Sequence, residues 1–306
     1  ASILNDDAID EATKAHALPY LEKPETHRAM LLGLLAQTEN ESLQRALMNA
    51  LRHLRGPEPA SRQLAIAQDD GYSDRVRVQA IALLAMQDSA YCREVWGLLE
   101  AGTPLVQYAA VKYLCRCTGE EAVAEQTDRW INENKAALDD VIPASWDFCQ
   151  GNLTDQPSSE QEWVDGVNDR GNPEMGRLVF ESPQLQCRNC HQVDGWGSSY
   201  GPDLSNVGSS KTERQLIHSI LQPSLEIAPE WQGWYVTDRE GRTHYGRQID
   251  VHLRHVELMN IDGSFQKYEQ PRSYGVADRS LMPEGLQNML TGEEFNHLIA
   301  YLKSLN

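Results

Sequence analysis

The chain has 306 residues, 41% of them hydrophobic, and a net charge of −18. That length suits two domains with packed cores, and both halves are acidic, which argues against binding a nucleic-acid backbone. No run of 18 apolar residues occurs, so no transmembrane helix is expected.

The sequence predicts helix after helix over residues 1–150. Apolar residues recur at spacings of three and four across 27–37, 42–54, 59–68, 75–86, 89–99, 104–116, 120–133 and 135–141. Turn residues punctuate them at Gly56-Pro57, Asp69-Asp70-Gly71, Gly102-Thr103-Pro104 and Thr118-Gly119. Ala46, Ala80 and Ala110 head similar short Leu/Ile/Val motifs, at the period of a stacked helix pair. The region resembles a HEAT-like α-solenoid, with an ordinary helical bundle as the rival. Either architecture implies a spacer or docking face rather than catalysis.

Cys92, Cys115, Cys117 and Cys149 are either disulfides or buried thiols. Cys115 and Cys117 point to different sides of a helix and are not expected to pair with each other. Residues 151–171 are polar and rich in turn formers at their start, as a linker should be, and Trp163 is a candidate anchor onto one of the domains.

The most informative stretch opens the second half. Cys187-Arg188-Asn189-Cys190-His191 is C-x-x-C-H, the attachment signature of c-type haem. Two thiols three positions apart reach both haem vinyls from one short turn, and the adjacent imidazole faces the iron. A zinc site needs further ligands at metal spacing, and there is no second C-x-x-C. A redox dithiol needs a βαβ context, and a structural disulfide leaves His191 without a role.

Helices are expected from Asn172 to about Glu181, over 211–221, and from about Glu293 to Ser304 behind the N-cap candidate Thr291. Gly176 and Phe180 share a face of the first, Leu298 and Tyr301 a face of the last. Bracketing C-x-x-C-H, this pair resembles the first and last helices of class I cytochromes c. That resemblance implies that Pro202, in Gly201-Pro202-Asp203-Leu204, offers its carbonyl to the other nitrogen of His191. A simple turn is the alternative.

For the sixth iron ligand the candidates are Met259, Met282, Met289 and five histidines. Met259 is in a strand-like run, Met289 in an apolar stretch before the last helix, and His297 on that helix as a surface or crossing residue. Met282 precedes Pro283 in a loop that cannot be helical, so it is preferred. Between about 229 and 275 the alternation reads as an inserted β meander or small barrel, with strands over 233–237, 242–249, 254–259 and 264–268.

The arrangement resembles haem-binding domains of planctomycete and verrucomicrobial proteins. The residues that carry it are Cys187, Cys190 and His191, Gly201–Leu204, the Asp238–Gly246 turn and strand, Ser280–Leu286 and Leu298–Leu302. It implies a monohaem cytochrome c domain over 172–306, fused behind helical repeats. In that family such domains can also follow a dehydrogenase propeller, but no propeller repeat occurs here.

The expectation is therefore a mainly α protein: a HEAT-like solenoid over 1–150, a linker over 151–171 and a haem c domain over 172–306. Its expected work is single-electron transfer outside the cytoplasm, after loss of a targeting segment. The expected partner is a periplasmic dehydrogenase or another cytochrome, so the chain is read as a carrier rather than an enzyme. The alternatives are a peroxidase-like or gas-binding haem protein with a labile distal ligand, or an interaction scaffold with an auxiliary haem.

Overall fold

A computed structural model describes the chain apart from Ala1, Asp7, Pro19, Tyr20, Glu22, Thr118, Pro183, Gln184, Gln186, Leu253 and residues 52–56, 88–90 and 153–155. The protein is mainly helical, with a small sheet region. Two compact units divide it, Ala1–Leu153 and Thr154–Asn306.

The first unit is helical throughout its described residues: α1 Glu11–Ala17, α2 Arg28–Gln37, α3 Glu41–Ala50, α4 Pro57–Gln68, α5 Asp74–Leu84, α6 Cys92–Ala101, α7 Pro104–Leu114, α8 Glu121–Asn134 and α9 Val141–Cys149. Helix α4 packs on α5 and α6 on α7, while α3, α5, α7 and α9 contact one another in series. Ala46, Ala80 and Ala110, the repeated alanines, lie on α3, α5 and α7 and are all at most 1% exposed. Small side chains there let successive helices approach closely, and Leu47, Ile81, Leu84, Val111 and Leu114 fill the space between. Polar rungs add to this: Gln79 Nε2 donates to the Arg45 carbonyl at 3.0 Å, tying α5 to α3.

Two disulfides staple this unit, Cys92–Cys117 and Cys115–Cys149. They join the start of α6 to the residues after α7, and the end of α7 to the end of α9. Cys115 and Cys117, though near neighbours, pair with different partners.

Some expectations shift. The interval 135–141 is largely turn, and the helix lies downstream as α9. Pro143 falls in the first turn of α9, where a missing N–H leaves no hydrogen bond unmade. Helix α1 is short, and its start is set by the Asp10 carboxylate, which accepts from Thr13 N–H at 2.9 Å. The turn at Gly56, the ends of the segments predicted over 42–54 and 89–99, and the joint at Thr118 lie outside the described residues.

The second unit contains α10 Glu160–Gly166, α11 Pro173–Glu181, α12 Val207–Ser210, α13 Glu213–Leu221 and α14 Gly292–Ser304, with strands β1 Gln192–Val193, β2 Trp196–Gly197, β3 Gly233–Thr237, β4 Thr243–His252, β5 His255–Met259, β6 Phe265–Glu269 and β7 Ser273–Val276. Helix α14 is its hub, packed on α10, α11, α12 and α13. A capping box starts it: Thr291 Oγ1 accepts from Glu294 N–H at 3.1 Å, and Glu294 Oε2 accepts from Thr291 N–H at 3.0 Å. The helix α11 crosses it at Gly176, where an added Cβ would lie 1.8 Å from the His297 carbonyl oxygen. Phe180 and Tyr301 close the crossing with ring centroids 5.6 Å apart.

The interval expected as linker holds α10. Its Trp163 is 4% exposed and meets Phe295 edge-on at 5.0 Å, so this helix is part of the second unit's core. Residues 153–155 of the same interval lie outside the described set. Strands β3 to β7 form one open antiparallel sheet in the order β6-β5-β4-β3-β7, with β6 and β7 as its edges. The insertion is thus a sheet with a fifth strand rather than a barrel. Val236, Val256 and Leu258 form its core on one face, under Trp234, Val251 and Tyr268.

Candidate functional site

Residues 187–191 make a single tight turn after α11. The N–H groups of Cys190 and His191 both donate to the Cys187 carbonyl, at 3.1 and 2.8 Å. The chain then reverses through the β1–β2 hairpin, with Asp194 and Gly195 at positive φ of 50° and 80°. Gly197 has φ 120°, and an added Cβ would stand 2.1 Å from the His191 carbonyl oxygen; only glycine fits this return. Gly201 N–H donates to the Cys190 carbonyl, and Leu204 N–H to the Gln192 carbonyl at 2.8 Å. These bonds lay Gly201-Pro202 directly against the imidazole.

His191 Nδ1 stands 2.9 Å from the Pro202 carbonyl oxygen. A carbonyl only accepts, so Nδ1 carries the proton, and the lone pair of Nε2 is left for a ligand. Burial lowers the His191 pKa, with the Pro202 bond opposing it, so the neutral ring is favoured. An added Cβ on Gly201 would press on His191 Cε1 and Nδ1 at 3.0 and 3.1 Å.

The six cysteines sort into two kinds. Four are in disulfides, and the two free thiols are Cys187 and Cys190. Burial pushes the Cys187 thiol up to about 12 and raises that of Cys190 as well. A nucleophilic dithiol needs the opposite, a depressed pKa, so the redox-dithiol reading fits poorly. Among the described residues no group of three or more His, Cys, Asp or Glu side chains could hold a metal ion. A four-ligand zinc site therefore has no donor set among the described residues. The donors that are present, two thiols and one neutral imidazole on one turn, suit a group that brings its own equatorial ligands, as haem does.

Met282 stands half-buried on a separate loop. Its N–H donates to Ser280 Oγ at 3.1 Å, Ser280 N–H to Ser224 Oγ at 3.3 Å, and Ser224 Oγ to Glu284 Oε1 at 3.0 Å. These bonds anchor the loop just beyond the end of α13. Strand β3 backs it, because a Cβ on Gly233 would meet the Leu281 side chain at 2.9 Å. The rival sulfurs differ in setting. Met259 is buried in β5, and Met289 is 39% exposed. His297 is buried at the α11–α14 crossing, where its Nδ1 accepts from Asn172 N–H at 2.9 Å.

Sequence reasoning missed Ser224, Gly233 and Arg247. Arg247 on β4 donates to the Ser199 carbonyl in the loop after β2, and its guanidinium lies 4.6 Å from the Trp231 ring centroid. The only signal in the sequence is that Arg247 follows Tyr245 at the two-residue spacing of one strand face. Which loop it would reach depends on strand pairing. The chain matches no protein-family model, and no curated protein matches it.

Proposed function

We propose that this chain is a monohaem c-type cytochrome that carries single electrons outside the cytoplasm. The observation that carries the reading is the bond from His191 Nδ1–H, at the end of the C-x-x-C-H turn, to the Pro202 carbonyl eleven residues on. It fixes the tautomer and ring orientation of the residue that the motif assigns to iron. Cys187 and Cys190 would hold the porphyrin through thioethers, His191 would bind the iron through Nε2, and Met282 through its sulfur. When bound, haem supplies a one-electron couple. The protein's part would be to hold the His191 and Met282 side chains still and to favour the neutral His191 ring. Were His191 and Met282 both to bind the iron, no open position would remain for substrate or oxygen, which favours a carrier over an enzyme.

Helices α11 and α14, crossing at Gly176 with Phe180 on Tyr301, support a class I cytochrome c-like second unit. In the first unit, α3, α5, α7 and α9 stack in series with α4 on α5 and α6 on α7, which supports a HEAT-like solenoid. Two disulfides suit an oxidising compartment such as the periplasm, where covalent haem attachment also belongs. An acidic chain of net charge −18 suits a redox partner with a basic face, either a periplasmic dehydrogenase or another cytochrome.

The test is a denaturing gel of protein matured with the c-type assembly machinery, stained for haem. Colour that stays with the chain is expected, and colour that washes off rejects the thioethers. Rapid binding of carbon monoxide by the reduced protein would favour the haem-enzyme or gas-sensor reading instead.

A further inference from the structure

Arg188 lies between the two thiols of the attachment turn, where neither the thioether chemistry nor the axial ligand requires it. Its Nη1 stands 3.8 Å from Glu181 Oε1, and the same oxygen stands 3.8 Å from Arg177 Nη1. One carboxylate on the last turn of α11 thus sits between two guanidiniums. The arrangement is withdrawn from water: the Arg177 side chain is 8% exposed, and those of Glu181 and Arg188 are 19% each. Glu174 also faces Arg177 at 3.3 Å, but it is 40% exposed, so solvent screens it more. Asp194, on the hairpin that follows the turn, is exposed in the same way.

Tyr301 reports on the cluster from the α14 side. Burial first, then the Glu181 carboxylate, pushes its hydroxyl up to about 12, while Arg177 and Arg188 oppose them. The ring that locks the helix crossing therefore stays neutral and shares the field of these three charges.

Charges at such a place do more than pack. In a poorly hydrated setting, a cation beside a one-electron centre favours its reduced form, and an anion favours its oxidised form. We infer that Arg188, held in place by Glu181 between it and Arg177, sets the reduction potential of the bound haem, with Arg188 raising it and Glu181 restraining it. This rests on the haem reading above. Arg188 acts through its charge, and Glu181 is a positioning residue that also offsets part of that charge. Arg177, buried on α11, holds Glu181 toward the turn.

Optical redox titration of the full haem-loaded chain tests the assignment with three substitutions. Arg188→Gln should lower the potential, so that at a fixed poise the ratio of reduced to oxidised protein falls several-fold. Arg188→Lys, which keeps the charge, should stay near the parent value. Glu181→Gln should move the potential the other way. A purely structural role predicts that Arg188→Lys and Arg188→Gln fall alike, or that Glu181→Gln falls with them, and either result overturns the proposal. Haem that remains attached with a potential indifferent to all three substitutions also overturns it while leaving the cytochrome reading intact. A parent protein with no haem on a denaturing gel overturns both.

Discussion

At the scale of the single residue, the side chains proposed to hold a group differ from those that hold them in place. His191 can offer only Nε2, because Pro202 occupies Nδ1. Met282 is offered by a loop whose backbone is tied to Ser280 and, through it, to Ser224. On the proposed haem reading, Met282→Ala is expected to abolish the far-red sulfur-to-iron band of the oxidised haem-loaded protein and to lower its potential; an unaltered spectrum would assign the sixth ligand elsewhere. Asp238 shows how a surface turn is secured. Its carboxylate accepts from His244 Nε2 and Arg242 Nε, at 2.8 and 2.9 Å, and from Arg242 N–H at 2.8 Å.

The bond to His244, and behind it those to Arg242, hold the Asp238 pKa well below its usual 3.8. A depressed carboxylate pKa contributes stability above the unfolded value, and that contribution is lost as pH falls toward the folded one. The sheet should therefore lose this support below about pH 3.8. Asp238→Asn should be less stable at neutral pH and should lack this part of the acid-induced loss, as read by Trp fluorescence during urea unfolding at several pH values.

At the scale of the element, close approach and covalent staples matter most. The crossing of α11 and α14 works because Gly176 has no side chain to meet the His297 carbonyl. Gly176→Ala would push a methyl into backbone that has little room to move, and should cost at least about 2 kcal/mol in urea unfolding. A cost near zero would mean the helices cross elsewhere. In the first unit the two disulfides close segments of 25 and 34 residues. Each should contribute roughly 3–4 kcal/mol by restricting the unfolded chain. Reduction should accordingly lower the thermal midpoint of helix loss by circular dichroism, and Cys92→Ser with Cys117→Ser should reproduce part of the fall. An unmoved midpoint would show that α6, α7 and α9 stay together by packing alone.

At the scale of the whole molecule, charge is the dominant feature. A surface with net charge −18 should draw a basic redox partner at a rate that falls steeply as salt is raised from low to physiological ionic strength. Stopped-flow association with a basic cytochrome checks this, and a salt-independent rate would argue for an apolar docking face. How much of the molecule was legible beforehand follows from the range of each interaction. Most helices of the first unit were visible as apolar periods, because a helix is built from neighbours three and four apart. Apolar spacing predicts a helix over 135–141, whereas α9 begins at Val141 and carries Pro143 in its first turn, a position that sequence spacing does not mark. Trp163 was read only as a candidate anchor in a linker, because its partner Phe295 lies 132 positions further along the chain.

The sequence by itself determined that two thiols and an imidazole share one short turn, that a proline carbonyl lies eleven positions beyond, and that the chain is acidic throughout. Those are facts of composition and short spacing, and local backbone geometry carries them. Only the tertiary structure decided which cysteines pair, that Gly176 meets a carbonyl of α14, that Arg247 reaches Ser199, and that Glu181 stands between Arg177 and Arg188. Apart from Glu181 with Arg177, each of these contacts joins separate segments of chain, so its partner is chosen by how whole elements pack.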